Sequence, residues 1–162
     1  MCSELTDEVV LAAFGADPAT IQYLSFDEAD DDPATPRVRF GRRNGWFHAI
    51  EHFTIAGTSD DVLRRISGDH GEAYSLGYNV ALGTFQSSHD GRVTTRFNVG
   101  MPGVRYGADP DRHVEQMTKA GLMAPGPARP AQGAHLLELL TGFELDAEVL
   151  EAPLASAIIR AV

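Results

Sequence analysis

Arg37-Val38-Arg39-Phe40-Gly41-Arg42-Arg43-Asn44-Gly45-Trp46-Phe47-His48-Ala49-Ile50-Glu51-His52-Phe53-Thr54-Ile55 reads as a β-hairpin, and that reading decides both the fold and the chemistry. Asn-Gly between two strand-like runs is the strongest short-range hairpin signal, because both turn positions need positive φ. The first arm alternates polar and apolar residues, as a half-buried strand does. The second is apolar on both faces and is expected to run through the sheet centre with cover on each side. Gly45→Val is accordingly expected to cost more than Gly126→Val in a proline-rich connector further on. The hairpin also fixes the meaning of His48-Ala49-Ile50-Glu51-His52, which spells the H-x-x-E-H signature of inverted zincins. That chemistry needs a helix, where i, i+4 spacing puts both imidazoles on one face beside the glutamate. On a strand the two histidines share a face but stand roughly 13 Å apart, at about 3.3 Å per residue. Glu51 then points away from both, and no zinc is expected.

Turn and cap signals extend outward from this hairpin. Thr6 with Asp7 and Glu8 starts a short helix that Gly15 ends, and Ser25-Phe26-Asp27-Glu28 matches a capping box. The acidic run Asp27 to Asp32 lacks the alternation and central glycine of a calcium loop and reads as a solvated loop. Thr58-Ser59-Asp60-Asp61 caps a helix with Val62, Leu63 and Ile66 as its buried stripe, ending at Gly68. Strands follow over Ala73 to Val80, Leu82 to Ser88 and Arg92 to Val99, the last two joined through Asp90-Gly91. Asp109-Pro110 reads as an N-cap with proline at the first helical position. A leucine-rich helix ends at Gly142, Asp146 starts another turn or two, and Leu154 to Val162 reads as a closing strand. The expected fold is one α+β domain over 1–162: a hairpin-rich antiparallel sheet of about five or six strands packed on three to five helices. Its parts are an N-terminal helical segment at 5–32, a sheet core at 36–100, and a helical part at 109–152 closed by a strand at 154–162.

Composition narrows the function classes. The chain of 162 residues suits one domain, and its 13 basic against 23 acidic residues give a formal net charge of −10. Nucleic-acid binding is not expected, because it depends on cations that neutralise phosphates. No apolar run approaches the ~20 residues that span a bilayer, and the acidic start Met1 to Glu8 is unlike a signal peptide. Cys2 is the only cysteine, which fits a reducing cytoplasm and excludes an intrachain disulfide. A serine elbow G-x-S-x-G, a P-loop and a dinucleotide fingerprint are all missing from the sequence. The chain reads as non-enzymatic, with no cofactor and no metal.

Candidate binding residues therefore come from the hairpin and the strands after it. Arg37, Arg39 and Arg42, with Arg43 and with Arg96 and Arg92 on a neighbouring strand, could form the one basic patch of an acidic protein. Guanidinium forks hold carboxylates or phosphates bidentately. Trp46, His48, Glu51, His52, Tyr78 and Asn79 complete the candidate set. The bland reading of His48 and His52 is a pair of polar side chains satisfied by hydrogen bonds or solvent. His70, His89 and His113 read as exposed, and His135 as a cap or solvent-facing residue.

Gly45-Trp46 followed by Glu51, then Val62-Leu63, Ser67, Asn79-Val80, Phe85, Asp90-Gly91, Phe97, Arg105-x-Gly107-x-Asp109-Pro110-Asp111 and Leu140-Thr141-Gly142 form one ordered series. That series resembles a family of small, functionally uncharacterised proteins common in actinobacteria, a domain of unknown function, over about Val38 to Val162. The chain departs from that pattern at His48 and His52, where the family tends to apolar or neutral residues, and at Ala81, which replaces a frequent asparagine. The resemblance implies no reaction, cofactor or partner. The functional expectation is a non-enzymatic interaction module that engages another protein or peptide, as a regulatory, immunity-like or biosynthetic accessory protein. The alternative is a small enzyme or metal- or ligand-binding protein with a pocket around His48, Glu51 and His52. The sequence leaves the oligomeric state open.

Overall fold

The computed structural model describes residues 5–68, 71–78, 83–126 and 130–160. Its central hairpin joins β2 (Arg37–Arg43) to β3 (Trp46–Glu51), with Arg43 opposite Trp46 and Val38 opposite Glu51. Asn44 at φ 53° and Gly45 at φ 80° both take the left-handed conformation that a two-residue type I′ turn needs. A Cβ at Gly45 meets nothing within 4 Å, so the cost of substitution there is conformational. Gly45→Val is expected to lower the unfolding free energy by about 1–2 kcal/mol in urea titrations, and an unchanged midpoint would place the turn elsewhere. Gly126 stands at φ 113°. Its replacement by valine is therefore strained as well, which corrects the expectation that the connector glycine is tolerant.

Around the hairpin the strands form two antiparallel sheets of four. The first has the order β1-β8-β2-β3, with β1 at Gln22–Leu24 and β8 at Leu154–Ile158. The second runs in sequence order through β4 (Glu72–Tyr78), β5 (Gly83–His89), β6 (Arg92–Asn98) and β7 (Arg105–Tyr106). The α+β class is as expected, but two four-stranded sheets among the described residues replace a single sheet of five or six strands. β2 lies between β8 and β3, so β3 is an edge strand and not the central strand expected from its sequence. Its apolar residues on both faces reflect cover from helices and aromatic rings on each side. Phe47 packs with the core under one face, and Trp46 and His48 touch Tyr74 and Phe143 on the other.

Six α-helices occur among the described residues: α1 (Asp7–Phe14), α2 (Phe26–Ala29), α3 (Asp60–Ser67), α4 (Val114–Lys119), α5 (Pro130–Thr141) and α6 (Ala147–Glu151). None of them is long and apolar enough to cross a membrane. The caps read from sequence are in place. Thr6 accepts from Val9 N, Ser25 and Glu28 form the reciprocal box, Ser59 accepts from Asp61 N, and Asp146 accepts from Val149 N. Asp109-Pro110 does not start a helix. Asp109 is tied by its carbonyl to Thr95 Oγ1 at 2.9 Å, and α4 begins only at Val114. The sheet's claim on that carbonyl overrides the local N-cap signal.

Packing places the helices in two layers. On the inner face, Val10, Leu11, Ala13 and Phe14 of α1 and Val62 of α3 enclose Val38, Phe40 and Ala157. On the other side of the second sheet, Phe85 and Phe97 are covered by Met117 of α4 and Leu136 of α5. Alternation along β5 serves both layers: Phe85 faces α4 and α5, while Gln86 donates to Thr58 O near the start of α3. The outer face of the first sheet is covered by α2 and α6, and there the candidate site forms.

Candidate functional site

Period-two alternation puts Arg37, Arg39, Gly41 and Arg43 on the outer face of β2, and the cross-strand register sets Ile50 opposite Arg39 and His48 opposite Gly41. With Phe26, Ala29 and Asp30 of the α2 segment and with His52 and Phe53, the residues Arg37, Arg39 and Ile50 line a shallow concavity. Arg39 is 4% exposed. Its guanidinium donates to Leu150 O at 2.9 Å and Ala152 O at 2.7 Å, satisfying carbonyls at the end of α6. The same group lies 5.5 Å from the centre of the Phe26 ring, a cation–π contact. Arg39 Nε and Arg37 Nη1 are buried without a hydrogen-bond partner among the described residues. His52 bonds the Asp30 carboxylate through Nδ1, and its ring lies 5.6 Å from Phe26 and 4.5 Å from Phe53. Burial pulls the Arg39 pKa down, and the negative charge of Asp30 opposes that shift.

The H-x-x-E-H letters are dispersed as the strand reading requires. Glu51 points to the inner face, where its carboxylate accepts from Ala56 N at 3.0 Å, Gly57 N at 2.6 Å and the Thr54 hydroxyl. It thus holds the first amides of a 3-10 turn at Ala56–Thr58. A Cβ at Gly57 falls 2.7 Å from Glu51 Oε1, so the approach depends on glycine. Glu51→Ala is expected to cost about 2 kcal/mol by chemical denaturation, with little effect on any outer-face ligand. A stability change under about 0.5 kcal/mol would contradict this account.

A model of the "Family of unknown function (DUF6461)" matches residues 5–157. The chain belongs to this family. Comparison with curated proteins and with solved structures gives no match. The DUF6461 match takes in every residue of the concavity and both carbonyls that Arg39 holds.

In this DUF6461 chain the other expected site residues scatter. His48 shares the outer face but stands beyond the concavity, against Phe143 at 4.9 Å between ring centres. Both of its ring nitrogens are buried without a partner among the described residues, which corrects the expectation of a satisfied side chain. Burial, then Arg43 and Arg39, hold its pKa below the ordinary 6.5. Trp46 packs against Tyr74 with the two rings tilted, and the Tyr78 hydroxyl donates to Pro130 O at 2.8 Å under α5. Arg42 turns inward onto Phe47 and pairs with Asp7. Arg96 lies in the second sheet, bound to Asp60 and Gln86. The expected basic patch is thus divided: alternation separates Arg42 from its neighbours, and Arg92 and Arg96 belong to another sheet. Asn79 lies outside the described residues, as do Cys2, His70 and Ala81.

Sequence reasoning missed Asp30, Phe26 and Phe53, which reach the arginines only through the fold. It also misplaced His113, which is 4% exposed rather than on a helix surface. His113 Nε2 bonds Ser87 Oγ at 3.0 Å, Ser87 bonds Thr94 at 2.9 Å, and Tyr74 packs against the imidazole at 5.8 Å. A register shift between Ser87 and Ser88 turns the Ser87 and Thr94 hydroxyls together. Ser87 is 1% exposed, so this hydroxyl–imidazole pair is a buried strut and no accessible nucleophile. Burial and Arg112 lower the His113 pKa from 6.5, outweighing Glu72 and Asp109. His48 and His113 are both neutral in the fold and bind protons more readily when unfolded. Their contribution is intact above about pH 6.5 and declines as pH falls below it toward the depressed folded values. The urea midpoint is expected to fall between pH 7.5 and 5.5, and a flat profile would contradict the burial of these imidazoles.

Proposed function

We propose that this chain is a non-enzymatic interaction module that receives a segment of another protein or peptide on the outer face of its first sheet, in a regulatory, immunity-like or biosynthetic accessory role. One observation carries the reading: Arg37 and Arg39 line the concavity, and Arg37 Nη1 and Arg39 Nε are buried with no hydrogen-bond partner among the described residues. Buried donors without partners are costly, so a lining that holds two of them is suited to a ligand that completes them. Phe53, 46% exposed, and Phe26 add apolar contact area beside the charge. The remaining arginines of the hairpin are already paired, Arg42 with Asp7 and Arg43 with Asp146. The test is affinity purification of the tagged protein from the cells that make it, with Arg37→Gln alongside. A stoichiometric protein partner recovered by the wild type and lost with Arg37→Gln supports the reading. A stoichiometric partner retained equally by both contradicts it.

A further inference from the structure

We infer that the concavity of Arg37 and Arg39 recognises a single carboxylate carried next to an apolar side chain; this rests on the interaction-module reading and names what the partner must present. Three observations fix the chemistry. Arg39 Nε and Arg37 Nη1 are buried with no hydrogen-bond partner among the described residues, and the two oxygens of one carboxylate can accept from both guanidinium groups. Two guanidinium charges stand against the one carboxylate of Asp30 on the lining, which leaves a single positive charge for the ligand to neutralise. A phosphate would bring about two negative charges and three acceptor oxygens. Its second charge would meet Asp30. The other walls are Phe26, Ile50 and Phe53, with the His52 ring between the two phenylalanines. Those walls suit an aromatic or aliphatic neighbour on the same segment.

Asp30 sets the selectivity. Its carboxylate is anchored by His52 and already acts on Arg39, so the incoming group adds to an existing pair and does not replace it. His52 is the more exposed partner, with a side chain 55% accessible against 18% for Asp30. The ligand therefore passes the imidazole and the Phe53 ring before it reaches the guanidinium groups. A dianion approaching by that route meets the chain's overall charge of −10 as well.

The test is titration of the 15N-labelled full chain with four short peptides, read at the arginine Nε–Hε resonances and as dissociation constants. The first carries internal Glu-Phe with both ends blocked, the second Gln-Phe in the same frame, the third phosphoserine-Phe, and the fourth a free carboxylate on a terminal Phe. Binding of the first or fourth with shifts at Arg37 and Arg39 is expected, and comparison of those two separates a side-chain carboxylate from a chain end. The Gln peptide is expected to bind at least about tenfold more weakly, the loss of one charge-assisted hydrogen bond. Arg37→Gln should weaken the carboxylate peptides by a similar factor while leaving the Arg39 resonance folded. Tighter binding of the phosphoserine peptide, or equal binding of Glu and Gln peptides, overturns the carboxylate assignment. If no peptide shifts either arginine while a copurified partner still depends on Arg37, this inference fails and the module reading survives.

Discussion

Replacing Gly107 with alanine is expected to cost this fold about 4 kcal/mol, the sum of backbone strain of about 1–3 kcal/mol and forced overpacking of similar size. Gly107 adopts φ 122°, a region that side chains rarely enter. A Cβ there falls 2.1 Å from Thr94 O and 2.6 Å from Thr94 C, both backbone atoms of β6. The neighbours cannot yield cheaply, because Ala108 N donates to Val93 O at 3.1 Å and Asp109 N donates to Thr94 O at 2.9 Å. These bonds hold the segment after β7 against β6, opposite the register shift at Ser87 and Ser88 on β5. Urea unfolding followed by tryptophan fluorescence measures the loss, since Trp46 is the one tryptophan. A cost under about 1 kcal/mol would mean that this segment does not dock on β6 as described.

Arg39→Met is expected to cost about 3 kcal/mol and to abolish binding on the outer face, whereas Arg37→Gln should stay within about 1 kcal/mol of the parent. Methionine matches much of the volume of the arginine stem but leaves Leu150 O and Ala152 O without their donor. It also removes the cation over Phe26. Lysine is no substitute, because one ammonium on a flexible stem cannot reproduce a fork that spans two carbonyls. Two of the Arg39 nitrogens thus hold α6, and the same side chain lines the concavity where a partner is proposed to bind. Denaturation midpoints for Arg39→Met and Arg37→Gln measured side by side check this, and equal losses would contradict the division of roles.

Much of the fold could be read locally, because its signals are short-range. Asn44-Gly45 and Asp90-Gly91 need positive φ, and Thr6, Ser25, Ser59 and Asp146 satisfy amides within three residues. The dispersal of His48, Glu51 and His52 followed from strand periodicity alone. What the sequence hid depends on distant partners. β1 and β7 have three and two residues and exist only because β8 and β6 offer them an edge. Arg39 alternates like a solvent-facing residue, yet it is buried because α6 comes from more than a hundred residues away to cover it. Asp30 sits in an acidic run that resembles a solvated loop, and only the turn of α2 brings it to His52. Asp109-Pro110 carried a sound local helix signal that lost to a tertiary hydrogen bond.

If a partner binds the outer face around Arg37, as proposed, its affinity for two variants will show it. Arg37 and Arg42 are hairpin arginines of equal charge on opposite faces of β2. Net-charge effects are therefore the same for Arg37→Gln and Arg42→Gln, and a difference between them reports position. Calorimetric titration of the copurified partner should show Arg37→Gln weakening binding by about tenfold or more, with Arg42→Gln within about twofold of the parent. The reverse order, or equal effects from the two substitutions, would contradict the assignment of this face.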